Sequence, residues 1–388
     1  MRLRILCLTP WFPNAPGMRE GNYIYDSVVA VRAEDVSVNV LLARAWKPWP
    51  QTEPTYSSFL PDLELQLLRY PSIPRDFFSG LSNRMRFVAL LNRVVSYGIR
   101  HKVQLIHAQT EAFAEVASAA AQVLGIPSVV TIHGINTSHR YLGTTGQRAY
   151  FRRALRACDN VVLVGEPIRE FFAEIAGADT NFTVIHNGYS LLPISRRTKI
   201  LVNPEIHFVS VSNLHEGKGI DLTLAALVRL QASGIKNWTY TIVGDGDQRN
   251  ALERVVDEYK LAPRVRFAGA VEHADVSPYL SEADIFVLPS YREAFGVAYL
   301  EAMASGLLAI GVEGQGAAEF IRHGENGLLA KPKNSDDLAD QLRFAIENPD
   351  VARSFAEAGK KTAEEDFTWP RHAKALHGLY RDLVQEVN

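Results

Sequence analysis

Residues 285–306 read IFVLPSYREAFGVAYLEAMASG, and the fold is decided in this stretch. Ile285–Leu288 is a short apolar run closed by Pro289-Ser290, the pattern of a buried parallel strand entering a loop. From about Phe295 the spacing turns helical. Val297, Leu300 and Ala304, with Ala302 and Met303, form an apolar stripe that stops at Gly306. Glu293 therefore falls in the loop at the carboxyl end of a strand, and Glu301 about two turns into the next helix. Gly296 between them leaves the first amides of that helix uncovered, and open N–H groups at a helix start attract phosphate. The crevice past the strand ends is where open α/β sheets bind ligands. One carboxylate on each side of an anion site suits a ligand with hydroxyls at both ends of a diphosphate, such as a nucleotide sugar.

Two glutamates eight apart are common on solvated surfaces, so the flanking sequence carries the weight. The pattern strand then helix repeats along all 388 residues, which points to α/β architecture with parallel sheets and to two domains. In the first half, strands are expected at 3–9, 36–42, 63–69, 105–107, 128–133, 160–164 and 182–185. Helices fall between them at about 22–33, 81–101, 111–124, 147–157 and 166–176. Residues 189–199, YSLLPISRRTK, have neither period and read as a linker. A second series has strands at 206–212, 240–243, 265–267, 285–288 and 307–310. Its helices are expected near 219–232, 248–259, 276–281, 295–305, 316–322 and 336–347, and a last amphipathic helix runs from about 369 to 387.

Composition excludes several classes. The chain is 47% hydrophobic and 22% charged with a formal net charge of −2, and no apolar run approaches the roughly 20 residues that span a bilayer. RLRILCLTPWFP at the start is interrupted by Pro10 and Pro13 and reads as a first buried strand, not a signal peptide. Cys7 and Cys158 offer neither a disulfide framework nor a metal set, which fits a reducing cytoplasm. Charge is unevenly spread: residues 1–190 hold 19 basic and 15 acidic side chains, and the remainder holds 22 and 28. The basic excess concentrates in 84–102 and 148–156, at helical spacing among apolar residues. Such stretches fit the inner face of an anionic membrane or a solvated helix face equally. They carry no nucleic-acid motif.

The segment 289–310, followed by GAAEFI (316–321) and NGLLA (326–330), closely resembles the signature of the retaining glycosyltransferases of family 4. That resemblance implies the GT-B fold, two doubly wound Rossmann-like domains facing a central cleft. Here they would comprise residues 1–190, joined by the final helix at about 369–388, and residues 200–368. It also implies transfer of a hexosyl group from a nucleotide-diphosphate sugar to a glycan or lipid-linked acceptor in bacterial envelope polysaccharide synthesis. No cofactor and no required metal are expected. Retention in the family is described as a front-face displacement in which the departing phosphate takes the acceptor proton, so no protein nucleophile is needed.

The resemblance also implies roles. Glu301 accepts from the ribose hydroxyls, Glu293 holds sugar hydroxyls, and the amides at Phe295, Gly296 and Val297 lie near sugar and phosphate. VSNLHEGKG (211–219) matches a segment with two cations facing the diphosphate; Lys218 is one of them, but Asn213 stands where arginine is commonest. Gly244 belongs to a G-x-G turn near the nucleoside, so the neighbouring Asp245 and Asp247 are not a D-x-D metal motif. AGAVEH (268–273) lies beside the base, with Val271 in contact. Glycines after the first strand, Gly17 and Gly21 with Asn22, face the diphosphate and the acceptor. TIHG (131–134) matches a strand end whose histidine, His133, contacts the transferred sugar, with the polar run Asn136, Thr137, Ser138 and His139 behind it. LIHAQ (105–109) matches I-H-x-H with Gln109 in place of the second histidine, and His107 reads as structural. Two other readings stay open: a GT-B nucleotide-sugar epimerase, and a non-catalytic GT-B subunit that binds nucleotide sugar.

Overall fold

The computed structural model describes residues 2–13, 18, 20–46, 63–71, 75–135, 145–190 and 205–387. Gly17, Asn136 to His139 and most of the expected linker, 191–199, lie outside them. Two compact units emerge, Met1–Gly188 with Trp369–Asn388, and Tyr189–Thr368.

The first unit is a seven-stranded parallel sheet: β1 Leu3–Thr9, β2 Val36–Ala45, β3 Leu65–Tyr70, β4 Leu105–Ala108, β5 Ser128–Ile132, β6 Asn160–Leu163 and β7 Phe182–Val184. Their order is β3-β2-β1-β4-β5-β6-β7, so the winding reverses between β1 and β4. The central strands β4, β5 and β6 are buried along their whole length, as strands covered on both faces must be. Helices α1 Asn22–Ala33, α2 Arg75–His101, α3 Ala114–Leu124, α4 Thr145–Arg156 and α5 Arg169–Ala176 connect them. Helix α2 starts six residues earlier than its apolar spacing predicts.

The second unit is a six-stranded parallel sheet of β8 Ile206–Val211, β9 Trp238–Val243, β10 Val265–Gly269, β11 Ile285–Val287, β12 Leu308–Val312 and β13 Leu328–Ala330. Its order, β10-β9-β8-β11-β12-β13, reverses between β8 and β11. Both units thus have the doubly wound topology whose switch point opens a crevice at the carboxyl ends of the strands. The helices are α6 Ile220–Ala232, α7 Arg249–Glu258, α8 Ser277–Glu282, α9 Val297–Ala304, α10 Ser335–Glu347 and α11 Pro349–Asp366. The expected helix at 316–322 is only a single 3-10 turn, Gly316–Glu319. It stops because the Arg322 N–H is taken by the Asn326 side chain at 2.6 Å, turning the chain into β13, a strand too short for its period to register in the sequence.

Tyr189, placed in the linker by its sequence, bonds through its N–H to Phe367 O at 3.3 Å and pairs with Thr368, inside the second unit. The last helix, α12 Trp369–Val387, belongs to the first unit. His372 meets Ser27 Oγ of α1 at 2.7 Å and His186 O at 2.8 Å, and Ala373, Leu376 and Tyr380 enter the core formed by β1, β2 and α1.

Candidate functional site

Each unit carries a set of polar side chains at the carboxyl edge of its sheet. In the second unit the chain leaves β11 through Pro289-Ser290, and this loop is tied to the loop after β8. Tyr291 N and Ser290 Oγ both donate to Gly217 O, at 3.0 and 3.1 Å. The two loops bring Lys218 and Glu293 together, Nζ to Oε2 at 2.5 Å, with both side chains largely sheltered from solvent. Glu293 is held from behind: its N–H donates to Gln315 Oε1 at 3.2 Å, and its carbonyl accepts from Gly316 N at 3.0 Å.

Three residues on, Gly296 caps α9 in the left-handed region at φ 94°, where a Cβ would lie 2.7 Å from the Tyr299 ring and 3.2 Å from Glu293 Cγ. Only glycine lets the chain enter the helix this way. The Tyr299 N–H bonds back to Gly296 O at 3.1 Å, whereas the N–H groups of Gly296, Val297 and Ala298 have no hydrogen bond among the described residues. These open amides lie beside the Lys218–Glu293 pair. The Phe295 side chain is buried against Phe320, at 5.5 Å between rings, and its backbone packs on Gly316, where an added Cβ would lie 2.4 Å from Phe295 N. Little more than one turn into α9, not the two that its sequence suggests, Glu301 is buried and its Oε1 lies 2.6 Å from His273 Nε2, in the turn after β10 that also carries the half-exposed Val271. Gly244, at the end of β9, bonds to Gly269 O at 2.8 Å. Asp245 spends its Oδ1 on the neighbouring Gly246 N–H at 2.7 Å. Among the described residues no three His, Cys, Asp or Glu side chains cluster as metal ligands.

Asn213 is exposed and brings no charge to this edge. A different cation does. The Arg292 stem lies over Gly217, where an added Cβ would sit 3.1 Å from Arg292 Cβ and 3.3 Å from its Cδ. The Arg292 guanidinium is exposed and has no ion pair or hydrogen bond among the described residues. Burial, then Lys218, holds His215 of the same loop below the usual histidine range, and Arg292 adds to the effect. Sequence reading passed over Arg292 because its partner loop is 75 residues away. It passed over His273 as a partner of Glu301 for a similar reason.

At the first unit's edge the linked side chains are uncharged, and the buried carboxylate nearby, Glu111, acts on Tyr23. Gly21 caps α1 at φ 75°, and a Cβ there would meet the Phe12 backbone at 2.8 Å, so the loop after β1 closes directly onto the helix start. Asn22 opens α1 and donates to Asp26 at 3.0 Å. The next residue, Tyr23, packs its ring on His133 at 4.6 Å. His133 Nε2 lies 3.0 Å from Gln109 Oε1, and Gln109 Nε2 lies 3.3 Å from His107 Nδ1. His107 Nδ1 also meets Tyr380 Oη of α12 at 2.6 Å, and its Nε2 meets Thr131 Oγ1 at 2.6 Å. Burial pushes His133 and His107 down to about 3, with neighbouring histidines adding to the effect. His107, read as structural, is thus the second member of a chain that ends at His133.

The basic stretches differ from their linear reading. Arg86 of α2 is 2% exposed and bonds to Asn83 and Tyr150. In α4, Arg148, Arg153 and Arg156 pair with Glu174, Glu115 and Asp179, while Arg152 donates to Ile175 O. The acids that neutralise α4 come from other elements, which a count along 148–156 cannot register.

Comparison with known proteins agrees with this division. Residues 21–191 match the family described as Glycosyltransferase Family 4, and residues 194–362 match Glycosyl transferases group 1. Glycogen synthase of Mycobacterium tuberculosis is 25% identical over 97% of this chain and 94% of its own length. A putative teichuronic acid biosynthesis glycosyltransferase of Bacillus subtilis, TuaC, is 25% identical over 99% of both chains. Among solved structures, sucrose-phosphate synthase of Thermosynechococcus elongatus superposes with a TM-score of 0.79 at 21% identity, covering 99% of this chain and 100% of that one. Anabaena HepE, in complex with UDP and glucose, gives 0.74 at 20% identity, covering 98% and 100%. The fold is GT-B, and the chain is built from a family 4 and a group 1 glycosyltransferase domain.

Proposed function

We propose that this glycosyltransferase moves a sugar from a nucleotide-diphosphate sugar to a glycan or lipid-linked acceptor, with retention and without a required metal. The observation that carries the reading is the sheltered Lys218–Glu293 pair beside the open amides of α9, with Glu301 buried about one turn on. Glu301, oriented by His273, receives the ribose hydroxyls. The diphosphate takes the N–H groups of Gly296 and Val297 together with Lys218, which exchanges part of its bond to Glu293 for the phosphate. Arg292 supplies the second cation that Asn213 does not. Glu293 then holds a sugar hydroxyl. Charge develops on the leaving diphosphate as the glycosidic bond breaks, and donors already aimed there stabilise it. The acceptor oxygen forms its bond on the same face, and its proton passes to the departing phosphate oxygen.

Gly244 and Val271 line the nucleoside end, and the bond of Asp245 Oδ1 within its own turn supports a structural role for that residue over a metal-binding one. His133, Gly21 and Asn22 serve sugar and acceptor from the first domain. An exposed apolar and basic stripe on α2 fits a lipid-linked acceptor at the inner face of a membrane; no helix among the described residues is long and apolar enough to cross one. A relative from Acholeplasma laidlawii, 23% identical over 83% of this chain and 85% of its own length, is a glycolipid synthase, alpha-monoglucosyldiacylglycerol synthase.

The test is a panel of nucleotide-diphosphate sugars, titrated with and without candidate acceptors in excess chelator, with products resolved by NMR. Nucleoside diphosphate should appear only with acceptor, and the product should keep the donor's anomeric configuration. Epimerised sugar released without acceptor would identify an epimerase, and binding without turnover a binding subunit. Inversion, or loss in chelator with rescue by magnesium or manganese, would overturn the corresponding part of the reading. In the same titration, Arg292→Gln should weaken nucleoside diphosphate binding about ten-fold and nucleoside binding hardly at all, the scale of one charge-assisted hydrogen bond.

A further inference from the structure

The chain of side chains under His133 determines where its proton sits. His107 and His133 are both neutral at physiological pH, so each carries one ring N–H. Tyr380 is 2% exposed, burial holds its phenol well above the usual range, and its hydrogen-bond partner among the described residues is His107 Nδ1 at 2.6 Å. Its proton is therefore aimed at that nitrogen. Thr131 Oγ1 competes from the other side of the ring at 2.6 Å, but a phenol is the stronger hydrogen-bond donor of the two hydroxyls. With Nδ1 accepting from Tyr380, His107 keeps its proton on Nε2 and donates it to Thr131. Gln109 is 4% exposed and must then turn its NH2 toward His107 Nδ1. Its oxygen is left facing His133, and an oxygen can only accept.

We propose that Gln109 is a positioning residue that locks His133 as the Nε2–H tautomer, so that its Nδ1 is a bare acceptor for a hydroxyl of the bound sugar or acceptor. His133 Nδ1 is buried and has no hydrogen-bond partner among the described residues, and a buried polar atom without one calls for a ligand. An acceptor-only nitrogen recognises a hydroxyl and disfavours a phosphate or carboxylate oxygen. The ligand class therefore follows from a tyrosine on the last helix, three hydrogen bonds away. The hydroxyl assignment rests on the proposed transferase function; the tautomer does not.

The tautomer is read directly in the ligand-free protein, by two-bond 15N–1H correlation NMR on histidine-labelled chain at pH 7, with His133→Gln to assign the resonance. The wild type should show His133 protonated on Nε2 alone. Gln109→Glu, which keeps an oxygen toward His133, should retain that signature. Gln109→Met should show both tautomers, with transfer lowered about ten-fold, the scale of one lost hydrogen bond. Tyr380→Phe should release the lock through His107 while leaving Gln109 in place, and it decides the matter if Gln109→Met does not fold. An Nδ1–H or imidazolium signature in the wild type, or an unchanged one in Gln109→Met or Tyr380→Phe, overturns the proposal. If the wild type shows the Nε2–H tautomer but transfers no sugar, the lock stands and the transferase reading falls.

Discussion

The two sheet edges solve the problem of holding polar groups out of water in opposite ways. In the second domain the side chains are carboxylates with close partners, Glu293 with the Lys218 ammonium and Glu301 with the His273 ring. In the first they are neutral and linked in series, Tyr380 to His107 to Gln109 to His133. A sheltered ion pair is strongly attractive only while both partners stay, so removing one leaves an uncompensated charge. A neutral chain holds no net charge, and its information lies in where the protons sit. The charged edge suits a ligand that brings its own charge and displaces one partner. The neutral chain suits hydroxyls.

The largest test of that contrast is a pair of substitutions within the charged edge. Glu293→Ala should lower turnover by about a hundred- to a thousand-fold, the scale of one preorganised group at a reacting centre. It should not weaken nucleoside diphosphate binding, because Glu293 faces the sugar and its loss frees Lys218 for the diphosphate. Glu301→Ala should weaken free nucleoside diphosphate about ten- to hundred-fold, since a hydrogen bond to a charged group contributes about 1.5–3 kcal/mol. Calorimetric titration with UDP, GDP and ADP, set beside steady-state rates, separates the two. Equal loss of nucleotide affinity in both variants would contradict the division of roles.

A medium effect is expected from acid, and it should fall on the neutral edge. Burial, before any other cause, holds His107 and His133 down to about 3 and His372 to about 4, against 6.5. A folded-state pKa below the unfolded one means that the unfolded chain binds protons the folded chain refuses. The stabilisation is then complete above about pH 6.5, shrinks as the pH falls through that value and is gone near pH 3–4. Each such histidine tilts stability by about 1.4 kcal/mol per pH unit inside that window. His372 stands outside the proposed site, bonded to Ser27 and His186 O, so His372→Gln isolates one proton. Urea unfolding from pH 7 to pH 4.5 should show a shallower pH slope in the variant than in the wild type. An identical slope would mean that these histidines are not held neutral.

What could be read from the sequence follows the same contrast. The strand–helix alternation, the two doubly wound sheets and the Glu293 to Glu301 segment were legible because each is local: a run, a period, a glycine between two carboxylates. Lys218 was legible for the same reason, as a Lys-Gly pair before a helix. Arg292 was not, because its closeness to Gly217 depends on two loops 75 residues apart packing together. The Gln109 link was less legible still. A glutamine where a second histidine is usual reads as a loss, and only Tyr380, 271 positions further on, gives it a direction. The partners of the basic helices were hidden for a related reason. Charge counted along 148–156 finds four arginines and no acid, while Glu115, Glu174 and Asp179 arrive from elsewhere in the fold.

The smallest effect expected is at the membrane, and that correction sets its size. With the α4 arginines paired and Arg86 buried, what remains on the first domain is one stripe of α2. Leu81, Val88 and Ile99 are 53%, 62% and 66% exposed there, and Arg84 and Arg100 carry no ion pair among the described residues. These residues recur at spacings that keep the apolar three on one line of the helix. An apolar line flanked by cations fits the interface of an anionic bilayer. Each basic side chain near such a surface contributes about 1 kcal/mol and is screened within a Debye length of about 8–10 Å. Two such arginines therefore support a preference of about thirty-fold for anionic over neutral vesicles, abolished by raised salt. Arg84→Glu with Arg100→Glu should remove that preference and spare nucleoside diphosphate binding, which belongs to the other domain. Val88→Ser with Ile99→Ser should instead lower retention on both kinds of vesicle. Equal cosedimentation of the wild type on anionic and neutral vesicles would make the stripe an ordinary solvated face, and the acceptor a soluble glycan.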